Sequence, residues 1–492
     1  MRFIATAGLA LLAGCAVGPN FQAPAPPQVS AYTVAPLRRT AGTGKVAGGE
    51  AQNFVKGLDI PGEWWALFHS RPLNELIECS LSNNPDLKAA EAALRVAREN
   101  VLAQRGLYFP HVSAGFSASR QKQPETLAPV PNYPAVPNEF QYDLFTPQVS
   151  VSYVPDVFGL NRRTLESLKA QENAVRFQWI ATYITLSANV AVAAIEEASL
   201  RAQIEATRRL IGINSNMVQI LRYQFAKGYA SRLDVAAQES QLAQAAAALP
   251  PLLKQLAQQD DLLAVLAGRY PSQQTGVQFT LSSLQLPQEL PLSLPSQLVA
   301  QRPDVRQAEE NLHAASAQIG VAIANRLPNI TLTANAGSTA LAIDKVFASG
   351  TGFWGLGAAV TAPLFQGGSL LHQERAAQAA YVQAAEEYRS TVLTAFQNVA
   401  DTLNALEQDA NAVKTAAAAV SAARMTLHLT QEQARAGYAN ELALLSAEQT
   451  YQQAQINLVQ AQANRFADTV ALFQALGGGW WHRADLTKED HE

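Results

Sequence analysis

The hydrophobic positions of this chain change period in a fixed order, and the order then repeats. Leu87, Leu94 and Val101 recur every seven residues with Ala90 and Ala97 between them, the stripe of a helix packed on another helix. His111 to Ser119 alternates strictly, with Val112, Ala114, Phe116 and Ala118 against Ser113, Gly115, Ser117 and Ser119. Gln148 to Val154 does the same, with Val149, Val151 and Tyr153 on one face, so two strands are expected on either side of a Pro-rich polar loop, Pro124 to Asp143. Leu160 to Phe225 holds no proline and one glycine, Gly212, which predicts a single helix about 100 Å long. A return helix follows from Leu233 to Leu249 and resumes after Pro250-Pro251.

The same plan restarts near residue 302. Val305, Leu312 and Ile319 repeat the heptad stripe with Ala308, Ala315 and Ala322; strands are expected over Asn329 to Ser338 and Gly352 to Thr361. A long helix over Ser369 to Arg435 and a return helix over Leu442 to Leu476 complete it. Pro85-Asp86 matches Pro303-Asp304 at an offset of 218, and Gly228-Tyr229-Ala230 matches Gly437-Tyr438-Ala439 at an offset of 209. The chain therefore reads as two copies of a helix–strand–strand–long helix–helix unit. One such heptad helix alone could be an ordinary amphipathic core helix; two in one phase favour a coiled coil.

Small or polar residues on one face of every strand suit a sheet with one lipid face and one wet face, although solvent-facing hairpins share the pattern. Four strands cannot close a barrel, and an open sheet would leave unpaired edges in lipid at several kcal/mol per group. Three chains sharing one barrel would supply three times four, twelve strands.

Of the 492 residues 15% are charged, the net charge is −4, and alanine and glutamine fill the long helices. That balance argues against nucleic-acid partners, which need a basic stripe. Two cysteines exclude a disulfide framework, and the seven histidines show no metal-ligand spacing on one helix face. Met217 and Met425 are too few for a methionine relay for copper. No Gly-x-Ser-x-Gly, His-Glu-x-x-His or phosphate loop occurs, so no enzymatic activity and no cofactor are expected. Glu196-Glu197 and Glu386-Glu387 are adjacent on helices and are expected to be solvated.

Arg2 and the short apolar run Phe3 to Leu12 read as a signal peptide. Leu12-Ala13-Gly14-Cys15 resembles a bacterial lipobox, which implies cleavage before Cys15 and lipidation of it; the plain alternative is a signal peptide with an incidental cysteine. In lipoprotein sorting, Ala16 in place of an aspartate implies the outer membrane.

The chain resembles the TolC family of outer-membrane efflux lipoproteins, of the OprM/NodT type. The resemblance rests on Cys15-Ala16-Val17-Gly18-Pro19-Asn20-Phe21, Trp64-Trp65 with Phe68, Asn84-Pro85-Asp86-Leu87, Arg302-Pro303-Asp304-Val305, Pro363-Leu364-Phe365 with Gly367-Gly368, and Ala475 to Trp480. It implies a mixed α and β fold: a homotrimer whose twelve-stranded transmembrane β-barrel is continuous with a long periplasmic α-helical barrel. A belt would be built from the N-terminal segment, residues near 268–300 and the C-terminal region. It divides the chain into a signal peptide (1–14), a lipidated linker (15–62), a first repeat (63–267), a connector (268–300), a second repeat (301–476) and a tail (477–492).

The resemblance also gives the two turns a role. Gly228, Tyr229, Ala230 and Ser231, with Gly437, Tyr438, Ala439 and Asn440, would form the periplasmic aperture and dock a membrane-fusion adaptor that links the duct to an inner-membrane transporter; helix-ending turns would need glycine there regardless. Many relatives carry aspartates at the second turn, whereas here Ala439, Ala443 and Ser446 stand there, with Glu441 the nearest acid and Asp234 its counterpart in the first copy. The implied function is passive export of small molecules in a tripartite pump. A type I protein secretion duct and a lipid-anchored periplasmic coiled-coil scaffold are the alternatives.

Overall fold

The computed structural model describes residues 16–35, 37–44, 46–123, 140–274 and 276–487; the signal segment, Cys15, residues 124–139 and residues 488–492 lie outside the described residues. Strand β1 (Asn53–Lys56) and helix α1 (Arg71–Asn83) precede the first copy: α2 (Pro85–Gly106), β2 (His111–Gln123), β3 (Phe140–Tyr153), α3 (Leu160–Ala226) and α4 (Arg232–Leu266). Strand β4 (Glu289–Leu292) and helix α5 (Pro295–Gln301) precede the second: α6 (Pro303–Ala324), β5 (Asn329–Ser338), β6 (Gly352–Thr361), α7 (Ser369–Arg435) and α8 (Glu441–Ala475). Helices α2 and α6 have 22 residues each, α3 and α7 have 67, and α4 and α8 have 35. Equal lengths in all three pairs make duplication the simplest origin of the plan.

Both copies begin on a proline, whose missing N–H is harmless at the first helical position. Asn84 caps α2, its side-chain oxygen accepting from the Asp86 and Leu87 N–H groups at 2.9 and 3.2 Å. In the second copy Arg302 stands at this place. It pairs with Asp304 and donates to the Ala475 carbonyl at 3.0 Å, satisfying the end of α8.

Two expectations are corrected. Helix α4 does not break at Pro250-Pro251 but continues to Leu266. Two prolines remove the bonds to the carbonyls of Ala246 and Ala247, and both residues are exposed, so water can take those places. Strands β2 and β3 run beyond Ser119 and start before Gln148, with the ladder unbroken from His111↔Ser152 to Lys122↔Gln141. The alternation fades past Ser119 because Arg120 and Lys122 take over the apolar row, while backbone pairing needs no apolar side chain.

The chain folds as two compact units that each draw on both copies: residues up to 23, 95–173 and 309–387 in one, 24–94, 174–308 and 388–492 in the other. The first unit holds the four-stranded sheet, in the order β2-β3-β5-β6, all antiparallel. Near the start of α3, the buried Arg163 donates to the Val17 and Gly18 carbonyls and to the Asn20 side chain at 2.9, 3.2 and 2.9 Å. Phe21 stacks on His313 of α6 at 4.4 Å. Gly18 approaches Gly320 so closely that a Cβ there would stand 2.5 Å from the Gly320 Cα.

The second unit holds the main core. Trp64, Trp65 and Phe68 are buried with Phe466 and Phe473, and Trp64 stacks on Phe473 at 5.4 Å. By length and composition α3 could cross a membrane, yet most of its apolar stretch is buried, with Ile180, Ile184, Val190 and Ile195 in this core. The belt segments meet as expected. Strand β1 pairs in parallel with β4, the Trp481 indole donates to Asp59 at 3.0 Å, and the buried Arg465 donates to the Gly48 and Glu50 carbonyls at 2.7 and 2.6 Å.

Glu197 corrects another expectation. It is fully buried, paired with Arg201, and accepts the Phe279 N–H at 3.0 Å; burial pushes its carboxyl above the usual range, against the Arg201 contact. Glu386 and Glu387 are exposed, as expected.

Candidate functional site

The register of the sheet sorts its side chains into two faces. Ala114, Val149, Ala336 and Trp354 form one cross-strand row; Val112, Val151, Ala334 and Leu356 form the next. Tyr153, Leu332 and Ala358 form another row on this face, and Ile330 pairs with Val360. These rows are half-exposed to exposed among the described residues, with Trp354 and Leu356 each 77% exposed. A contiguous apolar face of this kind marks a surface made for an apolar surrounding.

The opposite face is built from Ser113, Ser150, Asn335 and Gly355 in one row and His111, Ser152, Thr333 and Gly357 in the next. Here the side chains lie low. A Cβ at Gly355 would meet the Asn335 Oδ1 at 2.6 Å, and one at Gly357 would meet the Thr333 Oγ1 at 2.8 Å. Glycine at these two positions therefore lets the longer neighbour fold over the sheet. Among the described residues β2 and β6 each have a single partner strand, so the sheet has two open edges.

The two turns lie in the other unit and have one geometry. Gly228 and Gly437 end α3 and α7 at φ 77° and 80°, in the left-handed region where glycine carries no Cβ penalty. The N–H groups of Tyr229 and Tyr438 donate back to the Gln224 and Gln433 carbonyls, both at 2.8 Å, and the next helices start at once. Ser231 caps α4, accepting from the Asp234 N–H at 3.1 Å while Asp234 accepts from the Ser231 N–H at 2.8 Å. Asn440 caps α8, accepting from the Ala443 N–H at 2.8 Å. Ala230 and Ala439 occupy the link between glycine and cap.

Tyr229 and Tyr438 are 85% and 87% exposed, so nothing among the described residues covers either ring. The two hairpins are joined by Ile213, Met217 and Leu445, with Ile220 and Leu442 against them. Asp234 is not a free acid at the tip: hydrogen bonds from the Ser231 hydroxyl and N–H hold its carboxyl below the usual range. Cys15 lies outside the described residues. Sequence reasoning missed Arg163, Arg465 and Glu197 as buried anchors, since a charge within a helix reads as a surface residue.

An open sheet with one apolar and one polar face, on a chain with two helices of 67 residues, fits the strand pattern of transmembrane β-sheets. The chain belongs to the outer membrane efflux protein family, whose family model matches residues 76–269 and 294–478. It is 29% identical to the antibiotic efflux pump outer membrane protein ArpC of Pseudomonas putida, over 96% of this chain and 94% of that one. It is 30% identical to the toluene efflux pump outer membrane protein TtgF, also of Pseudomonas putida, over 95% of both. The solved outer-membrane channel OprN superposes with a TM-score of 0.80 at 25% identity, covering 95% of this chain and all of that one. The protein is thus an outer-membrane efflux component.

Proposed function

We propose that three copies of this chain share one twelve-stranded barrel and form the exit duct of a tripartite pump for small molecules. The observation that carries this is the open sheet. Its apolar rows need lipid and its two edges need partner strands, and neighbouring copies of the same chain supply those strands without leaving a backbone group unpaired in the bilayer. A scaffold anchored by lipid alone would leave Trp354, Leu356 and Val360 facing water. On this reading the α3–α4 and α7–α8 hairpins continue the duct through the periplasm. Their tips dock an adaptor whose partner transporter supplies the energy. The duct does no covalent chemistry, requires no cofactor and carries lipid on Cys15.

A photo-crosslinking residue at Tyr229 or Tyr438, in cells exporting a fluorescent dye, tests the docking. The expected product is a covalent adduct with a periplasmic adaptor of the pump. Adducts confined to other copies of this chain would count against docking at the tips.

A further inference from the structure

The two tips share one turn geometry but differ in charge. Arg232 and Glu441 stand at the same place, directly after the caps Ser231 and Asn440, at the 209-residue offset that relates the turns. Both are exposed. Over residues 222–239 the other charged groups are Arg222, Lys227, Asp234 and Glu239. Arg222 pairs with Glu239 at 2.6 Å and Asp234 is held in the cap, but no carboxylate among the described residues pairs with Lys227 or Arg232. Lys227 rests over the Tyr223 ring at 5.8 Å. Over residues 431–448 the charged groups are Glu432, Arg435, Glu441 and Glu448. Arg435 pairs with Glu432 at 2.7 Å, and no cation among the described residues pairs with Glu441 or Glu448. Burial, helped by the Glu441 charge, pushes the Glu448 carboxyl above the usual range. The first tip therefore keeps an excess of positive charge and the second an excess of negative charge.

Arg232 also breaks a local rule. A cation in the first turn of a helix faces the positive end of its dipole, whereas Glu441 is favoured at that place in α8. No contact among the described residues offsets the position of Arg232. We infer that the two tips are docking sites of opposite charge, and that the adaptor end which meets them carries an acidic group for Arg232 and Lys227 and a basic group for Glu441 and Glu448. This rests on the duct reading above. Each chain sets its two hairpins side by side through Ile213, Met217 and Leu445, so three chains present six tips of alternating sign. Opposite charges across an interface fix register and reject wrong partners more than they add affinity. An adaptor end of one sign would be attracted at every other tip and repelled at the tips between.

The test is the yield of the adaptor adduct from a photo-crosslinking residue at Tyr229, in cells producing the full-length chain. Arg232→Glu gives both tips a negative excess; Glu441→Arg with Glu448→Gln gives both a positive one. Each should cut the yield about tenfold. All three changes together restore alternation with the signs exchanged, on turns of the same geometry, and should recover part of the yield. Arg232→Lys should keep the wild-type yield. A heat-stable trimer in each variant checks the fold, and Arg232→Glu suits the helix dipole better than the native residue does. Unchanged yields in both single-sign variants overturn the inference and leave tip docking standing. A combined variant no better than either half also overturns it. The absence of any adaptor adduct from the unaltered tips would instead count against docking there, and this inference would fall with it.

Discussion

Gly228 and Gly437 occupy the same left-handed turn in the two copies, and the tyrosine after each closes it with a backbone bond of the same 2.8 Å length. The cost of replacing either is local. No atom outside the turn lies within 4 Å of a Cβ built on either glycine, so the penalty is conformational, about 1 kcal/mol per site.

That separates folding from docking. Gly228→Glu combined with Gly437→Glu should leave abundance and assembly unchanged while abolishing adaptor capture and resistance to the exported compound. In a trimer the pair would set six carboxylates around one opening. Full resistance in a cell that depends on this pump would mean that the tips are plain turns.

The two faces of the sheet predict opposite tolerances. Leu356→Arg puts a charge among the apolar rows and should cost about 2–4 kcal/mol near the bilayer midplane, lowering the yield of inserted protein. Thr333→Asp, on the polar face, should insert at the wild-type level. Quantifying the heat-stable, membrane-extracted form of each variant decides between this arrangement and a sheet with both faces in water, where Leu356→Arg would be harmless.

Burial, reinforced by the hydrogen bond that the protonated Asp409 donates to Asp468 and by the negative charge there, pushes the Asp409 carboxyl up to about 7, although Arg465 opposes the shift. A carboxyl raised in the folded state contributes stability below its unfolded value near 3.8, and that contribution is lost as pH rises through about 7. Thermal stability should therefore fall between about pH 4 and 7 through this site. Asp409→Asn, which stays neutral, should flatten that part of the profile. An unchanged slope in the variant would mean that Asp409 titrates normally.

Cys15→Ser should abolish labelling with a palmitate analogue. Once assembled, the variant should still resist carbonate extraction, because a closed barrel holds independently of its lipid. Release of a folded, soluble monomer would contradict the shared barrel.

The duplication was legible because glycine, proline and heptad positions recur in order, and α7 spans Ser369–Arg435 as its composition predicts. The faces of the sheet were legible too, since period-two alternation survives wherever one side meets an apolar surrounding. Less could be read where backbone pairing outlasts the pattern, as beyond Ser119, or where exposed carbonyls let a helix pass two prolines. Glu197 and Arg163 have local partners in Arg201 and Glu166, but the contacts that mark them and Arg465 as buried anchors lie far away in sequence: Gly48 and Glu50 for Arg465, Val17 and Asn20 for Arg163, and the Phe279 N–H for Glu197. No local signal announces the distant contacts, and a helical i,i+3 or i,i+4 ion pair reads as a surface pair. The tip geometry followed from Gly228 and Gly437, but the capping role of Asp234 emerged only with the Ser231 hydrogen bonds in view.

The proposed duct stands or falls on whether other copies of this chain close the open edges of β2 and β6. The decisive quantity is the mass of the protein particle extracted in mild detergent, corrected for bound detergent, together with its strand content. A particle of three chains, with no stable inserted monomer, is the expected result. A well-folded monomer with full strand content would contradict it.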